Sequence, residues 1–527
     1  MTEAMIAFGK QYSEYLHDES RTVGNADSIS FPRCEDDVRA LLKDLSRRGT
    51  PITVQGGRTG LAAAAVPFGG HIMNMSRMNS VTGCRIDENS RFCFSLQPGV
   101  TLSEFRKMLE KQNFCTEGWD EASLEAYRAF LCAPKQFFTP DPTETSATIG
   151  GMVACNASGA RSFLYGATRR HISGIRMLLA DSRGIVLKRG QVFSRGRKLS
   201  IPIETGGVLS VSLPDYKMPD TKNASGYFVS DDMDALDLLI GSDGTLGVIT
   251  QIDAALLPMP KIIWGVSCFF ASENDAVAFV MQVRHTIPGL AALEFFDGDA
   301  LKLLRTQKEQ NLAFSKLLDI PKEAESCIFT ELHCDDYEIA ENRLFDLGEV
   351  LKQNGGSEDN TWVARTEADR VQMQFLRHAI PESANMLIDR RKQTCPVVRK
   401  LGTDMSVPDA LLPEVMRLYR RDLSENRLQS AIWGHIGNNH LHVNILPRDE
   451  NEFYRGKALY ARWAAQISKM GGAVSAEHGV GKLKANLLTL MYGQRSVMQM
   501  EELKLCFDSK KLLGIGNIFA AQGGDGI

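Results

Sequence analysis

The sequence predicts an α+β fold in two large parts. Three observations carry this. Segments of helical period alternate with short strand-like runs from the first fifty residues onward. Long stretches of small residues interrupt that alternation at Gln55–Gly70 and Pro140–Gly166. Pro258 and Pro260 then mark a boundary, beyond which the chain becomes more charged and more helical up to about Arg448.

Taken in order, residues 1–27 read as a polar helix and linker. In Glu35–Arg48, Val38, Leu41, Leu42 and Leu45 fall at helical spacing, with acidic residues first and basic residues last. Ile52–Val54, His71–Met75 and Phe92–Leu96 read as strands. Thr101, with Glu104 three residues on, forms a capping box. Residues 116–138 hold a further helix, Glu121–Leu131, that packs either beside a cofactor or against a partner. Ile172–Ala180 is a strand closed by a turn at Asp181–Gly184. Past the prolines, helices at Ala276–Arg284 and Tyr337–Gln353 alternate with strand-like runs at Cys327–Leu332 and Ile432–Ile445. A two-layer α+β cap over the first part is the expected arrangement.

Composition narrows the class. A chain of 527 residues is long enough for two or three domains with sizeable cores. The net charge of −4, with no basic tract, argues against nucleic acid or an anionic membrane surface as the main partner. No run approaches the roughly 20 apolar residues that span a bilayer, and Met1–Thr22 lacks the pattern of a signal peptide. The eleven cysteines form no CxxC pair. That suits reduced thiols in a cytoplasmic protein and leaves no site for an iron–sulfur cluster.

Three loops carry the first chemical signal. Gln55–Gly70 reads QGGRTGLAAAAVPFGG and follows a strand. Pro140–Gly166 reads PDPTETSATIGGMVACNASGARSFLYG. Gly241, Ser242, Gly244, Thr245 and Gly247 make a third, running into Val248 and Ile249. Glycine lets backbone approach a ligand closely, and Ser, Thr and Asn side chains can meet phosphate oxygens.

Histidines carry the second. Four of the ten lie between residues 435 and 478: His435, His440, His442 and His478. With Asn438–Asn439 as a two-residue hairpin turn, residues 437 and 440 pair, as do His435 and His442. His435, His440, His442 and Asn444 then share one face, while Leu441, Val443 and Ile445 point into a core. Glu477, in SAEHGVGKLK, can complete a His₂Glu set with open positions; zinc suits it best, with manganese or iron as alternatives.

The loops together resemble the PCMH-type FAD-binding domain of the vanillyl-alcohol oxidase superfamily. The nearer resemblance is to the branch of D-lactate dehydrogenases, D-2-hydroxyglutarate dehydrogenase and the FAD subunit of bacterial glycolate oxidase. That branch's second loop, PDPxxxATIGGxxAxNAxGxRxxxYG, is matched almost throughout. In the first loop, Arg58, Ala63 and Ala64 stand where the branch has glycines. GHIGNNHLHVN and SAEHGVG are similar to its GHxGDGNLHxN and SxEHGxG, with Asn438, Asn439 and His440 replacing Asp, Gly and Asn.

The resemblance implies an FAD-binding domain of two α+β subdomains over 28–260, a cap domain with a metal-binding hairpin over 261–470, and a C-terminal segment, 471–527, returning to the FAD domain. It implies FAD contacts from Gly56, Gly57, Arg58, Thr59, Gly60 and Leu61 in the first loop. From the second they come from Pro140, Asp141, Thr145, Thr148, Ile149, Gly150, Gly151, Asn156, Ser158, Gly159, Tyr165 and Gly166. Gly244, Gly247, Val248, Ile249 and Asn517 complete the set. It makes His435, His442 and Glu477 the metal ligands and His478 the catalytic base. Arg377, Lys400 and Asn444 face the substrate, Arg377 after a short helix. The implied reaction is oxidation of a D-2-hydroxy acid to the 2-oxo acid by hydride transfer to flavin N5. The electron acceptor is a quinone, cytochrome, electron-transfer flavoprotein or iron–sulfur protein, and a homodimer is one open arrangement. The alternatives are a sugar acid or polyol oxidised without a metal, or an FAD subunit active only with an electron-transfer partner.

Overall fold

The computed structural model describes residues 5–520; residues 1–4 and 521–527, which fall in the expected first and last segments, lie outside the described residues. It has helix and strand throughout, in three main sheets. The stretch expected as an N-terminal helix supplies a short strand, Ile6–Ala7, and a 3₁₀ helix, Lys10–Leu16, rather than an α-helix.

The first sheet has four strands in the order Ile6–Ala7, Ser28–Ser30, His71–Asn74, Ile52–Gln55. The helix Glu35–Arg48 covers it with Val38, Leu41, Leu42 and Leu45, the four residues its period selects. The second sheet has five strands, in the order Val81–Ile86, Phe92–Leu96, Val248–Ala255, Ile172–Leu178, Gly184–Lys188. The capping box at Thr101 and Glu104 starts the helix Leu102–Lys111 packed on it. The helix Glu121–Cys132 lies against strand Val81–Ile86: Phe130 and Trp119 join Phe94 and Phe114 in an aromatic cluster, and Trp119 Nε1 donates to Val81 O. The 116–138 stretch is therefore a structural wall of this half.

The cap sheet runs Thr361–Ala364, Ile262–Phe270, Ser326–Cys334, Leu290–Asp297, Ser430–His435, His440–Ile445, Leu401–Gly402. One face is covered by Glu273–Thr286, Tyr337–Gln353, Leu412–Glu425 and Glu450–Lys469. The other is covered only in part, by Gly298–Gln310 and Glu367–Lys392. Its remainder faces the FAD-loop half, and polar residues gather there. Arg161 of the second loop donates to Glu331 on the cap sheet at 2.8 Å, and Tyr165 OH lies 2.7 Å from His333 Nδ1. The last helical stretch, Ala485–Phe507, is broken at Gly493 (φ 79°) and packs Leu488, Met500, Leu503 and Phe507 into the core of the five-stranded half. Among the described residues no helix is long and apolar enough to cross a membrane.

Within the first sheet, buried His71 is held at both ring nitrogens, by Ser28 Oγ and Ser30 Oγ, each at 2.8 Å. Burial pushes its pKa from 6.5 down to about 4. A histidine whose folded pKa is depressed adds stability that is present above the unfolded value and lost as pH falls through the folded one. Unfolding of this half should therefore lose about 3 kcal/mol from His71 between pH 6.5 and 4. Urea midpoints measured across that window should flatten in His71→Gln.

Candidate active site

The cofactor loops come together as their composition suggests, but their glycines divide into two kinds. A Cβ on Gly56 would stand 2.2 Å from Thr148 Oγ1, and one on Gly159 1.7 Å from Asp141 O. Those on Gly57 and Gly150 would meet Ser146 O and Pro98. These glycines let the loops pack on each other. A Cβ on Gly60 or Gly244 would meet nothing within 4 Å, so these two open onto free space. Ala63 adopts φ 58°, a left-handed backbone that favours glycine. Ala64 O accepts from Asn517 Nδ2 at 3.0 Å, which also donates to Asp243 O at 2.9 Å, closing the first loop on the third.

Several side chains expected at FAD are already engaged. Arg58 stacks on Tyr15, 4.2 Å from the ring centre, and reaches Glu14, because the N-terminal segment offers both an aromatic face and a carboxylate. Asp141 accepts from Arg106 at 2.9 Å with Arg161 at 3.9 Å. Thr148 caps the helix Ile149–Cys155, Asn156 Oδ1 accepts from Arg169 N, and Tyr165 is spent on His333. Val248 and Ile249 begin the strand Val248–Ala255. What these loops leave for a dinucleotide is chiefly backbone, with Gly60 and Gly244 unobstructed.

The histidines sit on the uncovered end of the cap sheet. The hairpin register differs from the two-residue turn expected: His435 pairs with His440, and Trp433 with His442. The connection is four residues long because Ile436 is buried and Ile436–Asn438 winds into a 3₁₀ turn. Asn439 ends it at φ 50°, its side chain tied to Val407 O, Asp409 and Arg284. The face survives this shift, since Leu441, Val443 and Ile445 enter the core.

His435 Nε2 and His442 Nε2 each lie 3.2 Å from Glu477 Oε1, and His440 Nδ1 lies 3.8 Å from Glu477 Oε2. One ligand atom from each of these four residues lies within 4.8 Å of all the others. His440 was expected only beside the site, yet it completes this group. It is wholly buried: Nε2 pairs with Asp404 Oδ1 at 2.8 Å, while Nδ1, turned toward the cluster, has no hydrogen-bond partner. An orphaned imidazole nitrogen aimed into a His₃Glu cluster fits a cation. His478 stacks on His442 at 5.3 Å.

Charged partners with no local signature surround the cluster. Lys222 Nζ meets Glu477 Oε2 at 2.6 Å, and Ser158 Oγ donates to the same oxygen at 3.3 Å. Glu294 takes His435 Nδ1 at 2.6 Å and Arg377 Nε at 3.1 Å. Asp404 takes Lys484 Nζ at 2.5 Å, Ser475 Oγ at 2.8 Å and the backbone N of His478 at 3.1 Å. Burial pushes the Glu477 carboxyl up, but His435, Lys222 and His440 outweigh it and hold it well below the usual range. Asp404 is likewise held far down against its burial, by His478, Lys484 and His440. Burial takes His478 to about 4 and so keeps its ring neutral.

Arg377 lies inside the 26-residue helix Glu367–Lys392, not after a short one, because the helix continues through Pro381. Lys400 stands over the Trp433 ring at 5.6 Å, and burial pushes it down to about 8. Asn444 turns its amide back onto His442 O. Lys222, Asp404, Lys484 and Glu294 were not singled out in the sequence. Of these, Lys484 closes SAEHGVGKLK, the stretch that holds Glu477, and Lys222 opens KNASGYF.

A fold with two FAD-type loop sheets and a cap carrying a buried His–Glu cluster defines an FAD-linked oxidoreductase. Residues 26–120 and 123–188 match the family described as FAD binding domain, and residues 260–518 match FAD linked oxidases, C-terminal domain. The chain belongs to the FAD-linked oxidases and carries both of their domains. It is 27% identical to a D-lactate dehydrogenase of Anaerostipes hadrus, over 97% of this chain and 94% of the relative. It is 24% identical to a D-2-hydroxyglutarate dehydrogenase of Stutzerimonas stutzeri, over 98% and 95%. In fold it is similar to 4-ethylphenol oxidase from Gulosibacter chungangensis, with TM-score 0.64 and 14% identity over 98% of this chain and 95% of that one.

The two kinds of glycine separate in experiment. Gly60→Val should leave the melting temperature of the flavin-free protein unchanged and weaken FAD retention by on the order of tenfold or more, read from flavin absorbance per protein. Gly159→Ala, which drives a methyl into backbone, should lower the melting temperature of the flavin-free protein itself.

Proposed function

We propose that this protein oxidises a D-2-hydroxy acid to the 2-oxo acid with bound FAD and a divalent cation, zinc by preference. The observation that carries the reading is the orphaned Nδ1 of His440 beside His435, His442 and Glu477. His435, His442 and Glu477 would hold the cation, with His440 as a fourth donor. When bound, FAD supplies the acceptor for the C2 hydrogen and its electron pair, and the cation supplies a Lewis acid for the hydroxyl. The D-configuration rests on the names of the relatives.

Charge supports the reading. Three buried carboxylates, Glu477, Glu294 and Asp404, are matched by three cations, Lys222, Arg377 and Lys484. Such a site has little need of a further ion for its own neutrality. A dication makes it positive by two charges, of which a 2-hydroxy monocarboxylate offsets one and a 2-hydroxy dicarboxylate both. Arg377 spends only Nε on Glu294, which leaves its terminal nitrogens for a substrate carboxylate. No carboxylate among the described residues pairs with Lys400, so it favours an acid with a second anionic group.

His478 is the base in this reading. Its Nδ1 lies 3.4 Å from Asp404 Oδ2, and its Nε2 is turned toward Glu477 at 3.6 Å. Asp404 favours the tautomer with hydrogen on Nδ1, leaving Nε2 to take the hydroxyl proton.

Anaerobic mixing with a panel of D- and L-2-hydroxy acids, followed at the flavin band near ~450 nm, tests this. One or more D-acids should bleach the band, and a chelator should abolish the bleaching. His478→Gln should slow it by about 10²- to 10⁴-fold while FAD stays bound. Lys400→Met should raise KM for a D-2-hydroxy dicarboxylate but not for D-lactate. A yellow protein that no hydroxy acid bleaches would overturn the reading.

A further inference from the structure

Glu477 has a cationic partner in Lys222. Its ammonium lies 2.6 Å from Glu477 Oε2, and the two side chains are 7% and 8% exposed. The Lys222 backbone is pinned: Ser406 Oγ donates to its carbonyl, Thr221 Oγ1 donates to Val407 O, and Ala224 N donates to Ser475 O. Its ammonium has no carboxylate partner besides Glu477 among the described residues.

A dication among His435, His440, His442 and Glu477 would stand a few ångströms from that ammonium, in a buried site where like charges repel strongly. Glu477 cannot serve both at full strength. An anion between them removes the conflict, and the carboxylate of a hydroxy acid is such an anion.

Resting on the metal reading above, we propose that Lys222 is the internal counter-cation of the site. It neutralises Glu477 while the cluster is metal-free, yields that carboxylate to the metal, and then faces the carboxylate of the substrate. The exchange moves one ammonium and needs no proton transfer or redox step.

The test uses FAD-loaded full-length protein and Zn²⁺ in competition with a chromogenic chelator. Lys222→Met keeps the stem and removes the charge. It should bind Zn²⁺ at least tenfold more tightly than wild type. Its metal-free form should melt below metal-free wild type, and Zn²⁺ should narrow the gap. KM for the hydroxy acid should rise by about tenfold with a smaller change in kcat. Lys222→Arg keeps the charge and should bind Zn²⁺ within a few-fold of wild type, which covers the case of a Met variant that does not fold. Zn²⁺ affinity that is unchanged or weaker in Lys222→Met, a melting gap that Zn²⁺ leaves open, or an Arg variant that binds Zn²⁺ tenfold more tightly would make Lys222 a structural tether and overturn the assignment. Wild-type protein that binds no Zn²⁺ would overturn the metal reading and this assignment together. Wild type that binds Zn²⁺ with a Met variant no tighter would overturn this assignment alone.

Discussion

The structure depends on keeping the buried Glu477 carboxylate neutralised. An unpaired carboxylate at that depth would cost several kcal/mol. Its partners come from three distant segments: Ser158 in the second glycine loop, Lys222 in the loop before the third, and His435 and His442 in the cap hairpin. The FAD half and the cap half therefore satisfy this charge jointly. The counter-charge comes from Lys222 and the imidazoles from the cap hairpin, so the site is complete only where the two halves meet.

The same rule runs outward from Glu477. Glu294 is shared by His435 and Arg377, and Asp404 by Lys484, Ser475 and the backbone of His478. At the domain junction Arg161 meets Glu331, while Arg106 meets Asp141. Each of these ions has an opposite ion, and most of the pairs join elements far apart in the chain. This pattern supports position more than stability, because a buried pair gains little over apolar packing but tolerates few alternative arrangements.

That pattern also explains what was legible in the sequence. Local signals read well: the apolar stripe of Glu35–Arg48, the box at Thr101 and Glu104, and the shared face of His435, His440 and His442 each depend on neighbours within a few residues. The hairpin register did not read. A two-residue turn satisfies the Asn438–Asn439 chemistry, but burying Ile436 requires four residues and shifts every pair. Lys222, Glu294, Asp404 and Lys484 were invisible because a lysine or carboxylate destined for burial looks like a surface one until its partner is known. Glycine was ambiguous for a similar reason. Gly60 and Gly159 look alike in a motif, yet one borders open space and the other borders the carbonyl of Asp141. The same limit holds for Arg377: its place inside a long helix follows from packing that carries the helix through Pro381.

The placement of His478 shows how this fold converts loop packing into chemistry. The residue sits in a loop, where a side chain would ordinarily wander. Asp404 grips the backbone N of His478 from the cap side. Asp243, from the third glycine loop, accepts the backbone N of Val480 at 3.0 Å and of Gly481 at 2.9 Å from the FAD side. Gly479 must lie between these grips, because a Cβ there would stand 2.7 Å from Asp243 Oδ1. Gly481 N is thus fixed next to Lys482, whose amide meets Ala62 of the first loop. The loop bearing this proposed base is sewn to the glycine loops by backbone hydrogen bonds, which are shorter levers than side chains and hold position better. A side chain aimed this way needs no strong hydrogen bond of its own. Its nearest carboxylate contacts, at 3.4 and 3.6 Å, leave the ring neutral and one nitrogen open toward the histidine cluster.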